Sequence, residues 1–219
     1  MIATEIDLIS TVKMLPNGSV TKIYGVSWEE YENLVGNMEE FPAHRVWFDT
    51  GKLSIMSPQP NHEKPKTFFT RSGHILSEEL NLDLEDLGST TYKSEFKKKG
   101  AEPDVCFYVE SAKFIIGLDN FDTSVAPPPD VVIEIDTTND SWEKFPIYAS
   151  FGVKEIWRYD GKQVVFYQLF DEKYEEISHS ISFPILPANI LTEFVLRTKN
   201  EGQSAILRDF RAWLKSKII

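Results

Sequence analysis

Residues Val131–Ile135 read VVIEI, an apolar run with a carboxylate inside it. Consecutive Val and Ile residues read as a strand buried on both faces. An acidic side chain is almost never fully buried unless it is paired or coordinates a metal. Side chains alternate across a strand. Val131, Ile133 and Ile135 therefore share one face, and Val132, Glu134 and Asp136 share the other. Glu134 and Asp136 stand roughly 7 Å apart along the backbone, two strand rises. A second apolar run, Val105–Val109, follows Glu102-Pro103-Asp104, with Asp104 at its mouth. The rest of the chain must cover this sheet and supply partners for its acids.

The covering elements can be read in order. Ser27-Trp28-Glu29-Glu30 is a capping box, followed by Tyr31, Leu34 and Val35 at helical spacing and by Gly36-Asn37 as a stop. Arg45–Asp49 and Lys52–Met56 read as strands joined by a tight Thr50-Gly51 turn. Ser57–Pro60 breaks the sheet, and a helix runs from about Pro65 to Leu80 with His62 and Glu63 near its start. Gly88–Tyr92 turns into another strand, and Lys97–Gly100 is a basic turn. Residues 110–126 form a polar loop, and Pro127–Pro129 keep the VVIEI strand from starting before Asp130. Pro146 is tolerated only near a helix start, so the next helix begins at about Trp142 and ends at Gly152. Glu155–Tyr159 and Gln163–Leu169 form a hairpin through Asp160-Gly161, and Tyr174–Phe183 adds a strand. Ser204–Lys217 closes as an amphipathic helix with Ile206, Leu207, Phe210, Trp213 and Leu214 on one face. Residues 1–25 read as a peripheral arm and 26–219 as a single domain.

Composition narrows the class of function. A net charge of −11 argues against a protein that coats DNA, which needs a basic surface. It leaves room for an enzyme that touches nucleic acid through one local patch. Cys106 is the single cysteine, so no intrachain disulfide forms, and its place in DVCFYV is that of a core residue. MIATEIDLIS is not a signal peptide, and no apolar run approaches the roughly 20 residues of a membrane helix. The expected location is the cytoplasm, with no membrane association.

Asp104, Glu134 and Asp136 are hard oxygen donors, suited to Mg²⁺ or Mn²⁺ rather than zinc. Mg²⁺ takes one or two protein carboxylates and leaves the rest of its shell to water and phosphate. Such a site supports phosphodiester hydrolysis, with a lysine to stabilise developing charge. Each residue also has an ordinary reading. Asp104 suits a turn, Asp136 a strand-end cap, Lys97–Lys99 a solvated turn, and His62-Glu63 an exposed helix start.

The motifs RVWFDTGKLSIMSP, GSTTYK, EPDVCFYV, PPPDVVIEID and PIYASFGVKEIWRYDG occur in that order. In combination they resemble the Uma-type family of bacterial proteins of restriction-endonuclease type, over roughly residues 40–215. The resemblance places the chain in the PD-(D/E)XK nuclease superfamily. It implies an α/β (α+β) fold: a restriction-endonuclease-like mixed β-sheet core flanked by helices, in αβββαβ-like order, with additional β-hairpins. It also implies Mg²⁺-dependent cleavage of DNA, with Mn²⁺ as a substitute and no small-molecule cofactor. Pro103-Asp104 matches the superfamily's PD and Glu134 its D/E. The lysine expected two residues after Glu134 is replaced by Asp136, and Lys144 on the following helix matches the substitute. The implied catalytic set is Asp104, Glu134, Asp136 and Lys144, and the implied metal ligands are Asp104, Glu134, Asp136 and Glu63. Lys93, Lys97, Lys98, Lys99 and His62 are the expected nucleic-acid contacts. DNA is the expected transient partner and a homodimer the expected assembly. The competing expectation is a catalytically inactive nuclease fold that binds DNA or protein.

Overall fold

The computed structural model describes residues 7–57, 59, 62–118 and 126–218. Its elements are α1 (Leu8–Met14), β1 (Val20–Tyr24), α2 (Trp28–Gly36), β2 (Arg45–Asp49), β3 (Lys52–Met56) and α3 (Glu63–Leu80). There follow β4 (Glu85–Asp86), β5 (Tyr92–Ser94), β6 (Lys99–Ala101), β7 (Val105–Tyr108) and β8 (Val131–Ile135). The chain closes with α4 (Phe145–Phe151), β9 (Glu155–Tyr159), β10 (Val164–Phe170), β11 (Lys173–Ile177), α5 (Ala188–Arg197) and α6 (Gln203–Lys215).

The strands form two sheets. One runs β11-β10-β9-β8-β7-β4, the other β1-β3-β2-β6-β5. In the first, only β8 and β9 pair in parallel, because α4 carries the chain back over the sheet between them. Its elements from α3 to β9 follow the order α3-β4-β7-β8-α4-β9, the expected αβββαβ. The hairpins expected beside the core close into the second sheet. There Thr50 and Gly51 both have positive φ, as the tight turn that matches strand twist requires.

Alternation in β8 sorts the interior as the sequence requires. Val131, Ile133 and Ile135 pack with Phe107, Trp157 and Phe166 under α3, α5 and α6. Val132 lies on the opposite face with Cys106, Tyr108 and Ile147, against Trp47, Tyr92 and Ala101 of the five-stranded sheet. The outer face of that second sheet is closed by α1 and α2 through Val12, Trp28, Tyr31 and Phe48. The acids of β8 therefore point between the two sheets.

Several elements differ from expectation. Val20–Tyr24 pairs with β3 along its whole length, so this part of the 1–25 segment belongs to the sheet. β11 stops at Ile177 rather than continuing to Phe183. Beyond it the chain turns inward and buries Phe183 and Leu186, which a strand at the sheet edge could not do. α5 forms where no element is expected; its apolar positions Leu191, Phe194 and Val195 face the core, but the flanking Pro184 and Pro187 mask the pattern. Pro58 and Pro60 of the expected breaker, residues 119–125 of the expected loop, and residues 1–6 lie outside the described residues. Among the described residues, no helix is long and apolar enough to cross a membrane.

α3 approaches β7 most closely at Gly73, where an added Cβ would sit 2.5 Å from the Phe107 ring. Gly73→Ala forces Phe107 out of a filled core. It is expected to destabilise the fold by about 1–3 kcal/mol, read as a lower denaturant midpoint. An unchanged midpoint would show that the ring has room to move.

Candidate active site

Val105 pairs with Ile133 and Cys106 with Val132. One step further along the same antiparallel register sets Asp104 opposite Glu134. The two carboxylates are brought together by neighbouring strands, although 30 residues separate them in the chain.

Asp104 is 1% exposed. Its Oδ2 accepts the Ile135 backbone N–H at 2.8 Å and lies 3.0 Å from His62 Nε2. Its Oδ1 has no hydrogen-bond partner among the described residues, and the Arg45 Nε is 3.9 Å away. Burial would raise the Asp104 pKa, but the bond and charge of His62 and the Lys144 ammonium outweigh it and bring it down to about 2. The same contact acts on His62 in reverse. Burial lowers its pKa, the Asp104 bond raises it, and the net shift is upward. Asp104 and His62 form a buried hydrogen-bonded pair in which each partner favours the other's charged form.

Glu134 is also 1% exposed. Lys144 Nζ donates to its Oε1 and Oε2 at 3.1 and 2.9 Å, and the Tyr148 hydroxyl donates to Oε1. Burial pushes the Glu134 carboxyl up to about 8 against the pull of Lys144. For Lys144, burial acts downward, but Glu134 and then Asp104 raise it above its ordinary value. Burial and Glu134 hold the Tyr148 phenol well above its usual range, so it stays a donor. Lys144 ends a 3₁₀ turn, Trp142–Lys144, that runs directly into α4. Spacing of four residues then places Lys144 and Tyr148 on one side of the helix. Lys144 also donates to Glu102 O at 3.0 Å and lies 5.3 Å from the Trp47 ring centroid.

Asp136, expected as a ligand, does a different job. It accepts the Ser141 N–H and hydroxyl at 3.0 and 3.1 Å and the Arg158 Nε–H. Ser141 immediately precedes the turn that carries Lys144, so Asp136 fixes where that turn begins. Glu63 is exposed at the start of α3 and is not among the groups that touch Asp104 or Glu134. His62 is buried against Asp104 and so is turned away from any nucleic-acid surface.

The expected phosphate-contacting lysines lie on or beside the β5–β6 hairpin, and each is engaged. Lys93 pairs with Glu32 at 2.9 Å, Lys98 with Glu95 at 3.3 Å and Lys99 with Asp49 at 2.8 Å. Lys97 donates to Ser150 O and lies 5.5 Å from the Phe151 ring centroid.

Three residues at the site escape a reading of sequence alone. Glu102 meets Arg45 Nε at 3.4 Å, and Arg45 is held by Pro42 O, His44 O and Ser89 Oγ. Tyr148 is the third. Glu102 adjoins Pro103-Asp104, and Tyr148 follows Lys144 at helical spacing, so both had a local signal. Arg45 had none, because only the pairing of β2 with β6, whose chain runs on into Glu102, brings it to the site.

Among the described residues, no group of three metal-capable side chains converges. Mg²⁺ does not need three, since one or two carboxylates suffice. Asp104 Oδ1, buried beside Glu134 and without a partner among the described residues, is a hard oxygen donor of the kind Mg²⁺ takes, and Glu134 would join it on release from Lys144.

Among the described residues, one mixed and one antiparallel sheet with six α-helices, and an acid pair on adjacent strands faced by a lysine, define a protein of nuclease-like fold. The model of the Uma2 family, described as "Putative restriction endonuclease", matches residues 28–198. The chain belongs to that family. Its fold is similar to that of a solved structure described as a putative nuclease belonging to DUF820 from Anabaena variabilis. The two superpose with a TM-score of 0.54 at 16% identity, covering 78% of this chain and 99% of that one. No curated protein matches.

The Asp104–His62 pair sets a pH window. His62, raised above 6.5, contributes stability that is complete below that value and is lost as pH rises through its folded pKa. Asp104, depressed to about 2, contributes stability present above 3.8 and lost as pH falls through 2. The His62 ring proton resonance is expected to titrate above 6.5 and to drop to or below 6.5 in Asp104→Asn, where burial acts without the carboxylate. Identical titrations in the two proteins would show that the pair carries no charge.

Proposed function

We propose that this chain is a Mg²⁺-dependent endonuclease that hydrolyses DNA phosphodiester bonds, with Mn²⁺ as a working substitute. One observation carries the reading. Asp136 stands where the superfamily lysine is expected, and Lys144, ten residues beyond Glu134, is brought back onto Glu134 beside Asp104. The fold supplies by tertiary contact what the motif lacks.

Asp104 and Glu134 would hold the metal, which supplies polarisation of the phosphorus centre and a lowered pKa for an attacking water. The chain's own residues prepare the site. Ile135 N–H and His62 fix the Asp104 carboxylate through Oδ2, which leaves the buried Oδ1 without a hydrogen-bond partner among the described residues. Tyr148 fixes Glu134. Lys144, desolvated and bonded to both Glu134 oxygens and to Glu102 O, would give up one of these bonds to donate to a non-bridging phosphate oxygen as charge develops there. Water adds to phosphorus, one P–O bond breaks, and the products are a phosphate monoester and a hydroxyl. Cutting two strands takes two such sites, so the reading includes a homodimer that engages DNA transiently, in the cytoplasm.

A second reading has its own support. Glu102, Asp104 and Glu134 are matched by Arg45, His62 and Lys144, and Asp104, Glu134 and Lys144 are at most 2% exposed. A network this self-contained suits an inactive nuclease fold that binds DNA or protein elsewhere on its surface. In the catalytic reading, the residues covering the acids must move before phosphate enters.

Plasmid nicking separates the two. Relaxation of supercoiled plasmid is expected with Mg²⁺ and with Mn²⁺, reduced by about 10²-fold or more in Glu134→Gln and in Lys144→Met. Activity equal in wild type and both variants would place the chemistry elsewhere, and no nicking with either metal would favour the inactive fold.

Metal binding gives a readout that does not depend on turnover. Burial raises the Glu134 pKa to about 8 against the pull of Lys144, so any proton the carboxyl retains at neutral pH must leave when a metal takes its place beside Lys144. Calorimetry of Mg²⁺ binding at pH 7 is expected to show proton release that depends on buffer ionisation enthalpy, with affinity rising toward pH 8.5. Binding without proton release would mean that Glu134 is already ionised or is not a ligand.

A further inference from the structure

A cavity of about 440 Å³ opens beyond the end of β8, lined by Lys64, Thr137, Tyr159, Gly161, Thr198 and Lys199. It shares no lining residue with the carboxylate cluster. Its walls nonetheless grow from the same elements. Thr137 lies two positions past the end of β8, Tyr159 ends β9, and Lys64 lies two positions after His62. β8 and β9 are the parallel pair of the sheet, and crevices at the carboxyl ends of parallel strands are where such sheets take ligands.

The lining is chemically one-sided. It carries two lysines and no acid among the described residues, in a chain of net charge −11. Lys64 makes no ion pair with a described residue, in contrast to the engaged lysines of the β5–β6 hairpin. Lys199 donates to Gly161 O at 2.8 Å, which holds it at the cavity wall. The buried Thr137 hydroxyl has no hydrogen-bond partner among the described residues, a state that costs free energy unless a ligand or water relieves it. The first turn of α3 contributes Lys64 to the wall, with Glu63 and Pro65 on either side of it.

We propose that this cavity binds a phosphate oxyanion, and that its natural source is a backbone phosphate of the nucleic-acid strand flanking the bond presented to Glu134 and Asp104. The proposal rests on the nuclease reading for the source of the phosphate, but not for the chemistry of the cavity. Lys64 and Lys199 supply both the charge and the N–H donors. Phosphate contacts of this kind set register and orientation without reading sequence. The site would thus fix which phosphodiester reaches the acids.

The test is duplex binding by the full chain without divalent cations, so that nothing is cleaved, read by anisotropy of a labelled oligonucleotide across salt concentrations. The Lys64→Gln/Lys199→Gln double variant is compared with Lys97→Gln/Lys98→Gln. All four lysines are solvent-accessible, so both variants keep the core intact. The first is expected to lose about tenfold in affinity near 0.1 M salt and to lower the salt slope by about 2, and the second to change little. Equal affinity in wild type and Lys64→Gln/Lys199→Gln would overturn the proposal. A parallel arm titrates inorganic phosphate and thymidine 5′-monophosphate while following the backbone amide resonances of Lys64 and Thr137. Shifts abolished in Lys64→Gln/Lys199→Gln would support the oxyanion site independently of DNA. Such shifts in a chain that binds no duplex would overturn the nucleic-acid source and, with it, the nuclease reading. No shifts and no effect on duplex binding would overturn the cavity assignment while leaving the nuclease reading to the nicking experiment.

Discussion

The buried contact between Lys144 and Glu134 is what the rest of the structure is arranged around. Removing one partner of such a pair typically costs about 3–5 kcal/mol, because the other charge stays buried alone. The pair is not there for stability as such, since apolar residues of the same volume often do as well. Its effect is positional. It ties α4 to the middle of β8 and holds a cation against a carboxylate in a place from which water is excluded. Asp136 supports this from the strand end, by binding Ser141 and fixing the start of the turn that delivers Lys144.

The alternation of β8 divides the molecule chemically. One face of the strand is wholly apolar and packs under α3, α5 and α6. The other carries Glu134 and faces a second sheet. That sheet contributes Arg45, through its bond with Glu102, and Trp47, beneath the Lys144 ammonium. An acid face left open to water would lose the desolvation that raises Glu134 and sharpens each charge–charge contact. The five-stranded sheet is therefore part of the site's electrostatics as well as its cover. The Asp104–His62 pair belongs to the same logic, because α3 reaches the acid face only through its first residues.

The acidic chain keeps its positive charge local. Lysines that look like a phosphate-binding run in the sequence are spent on neighbouring acids and carbonyls along the β5–β6 hairpin. Lys144 is held inside the acid cluster, and Lys64 and Lys199 stand where β8 and β9 end. A net charge of −11 works against non-specific association with nucleic acid.

The sequence by itself determined the strands that carry the chemistry. VVIEI could only be a buried strand, its period of two set Glu134 apart from Val131, Ile133 and Ile135, and the capping box at Ser27 and the turn at Thr50-Gly51 fixed local structure through near-neighbour hydrogen bonds and backbone sterics. The Pro103-Asp104 and Glu134 positions were legible for the same reason, and Lys144 was legible only through its family resemblance. Tertiary structure decided the rest. It turned His62 inward onto Asp104, left Glu63 outside, made Asp136 a cap rather than a partner of the acid pair, and brought in Arg45 and Tyr148. It also joined Val20–Tyr24 to the second sheet. These outcomes depend on which surfaces meet across long stretches of chain. A carboxylate's role is set by the donors that reach it, and those donors are chosen by packing, which local sequence does not encode.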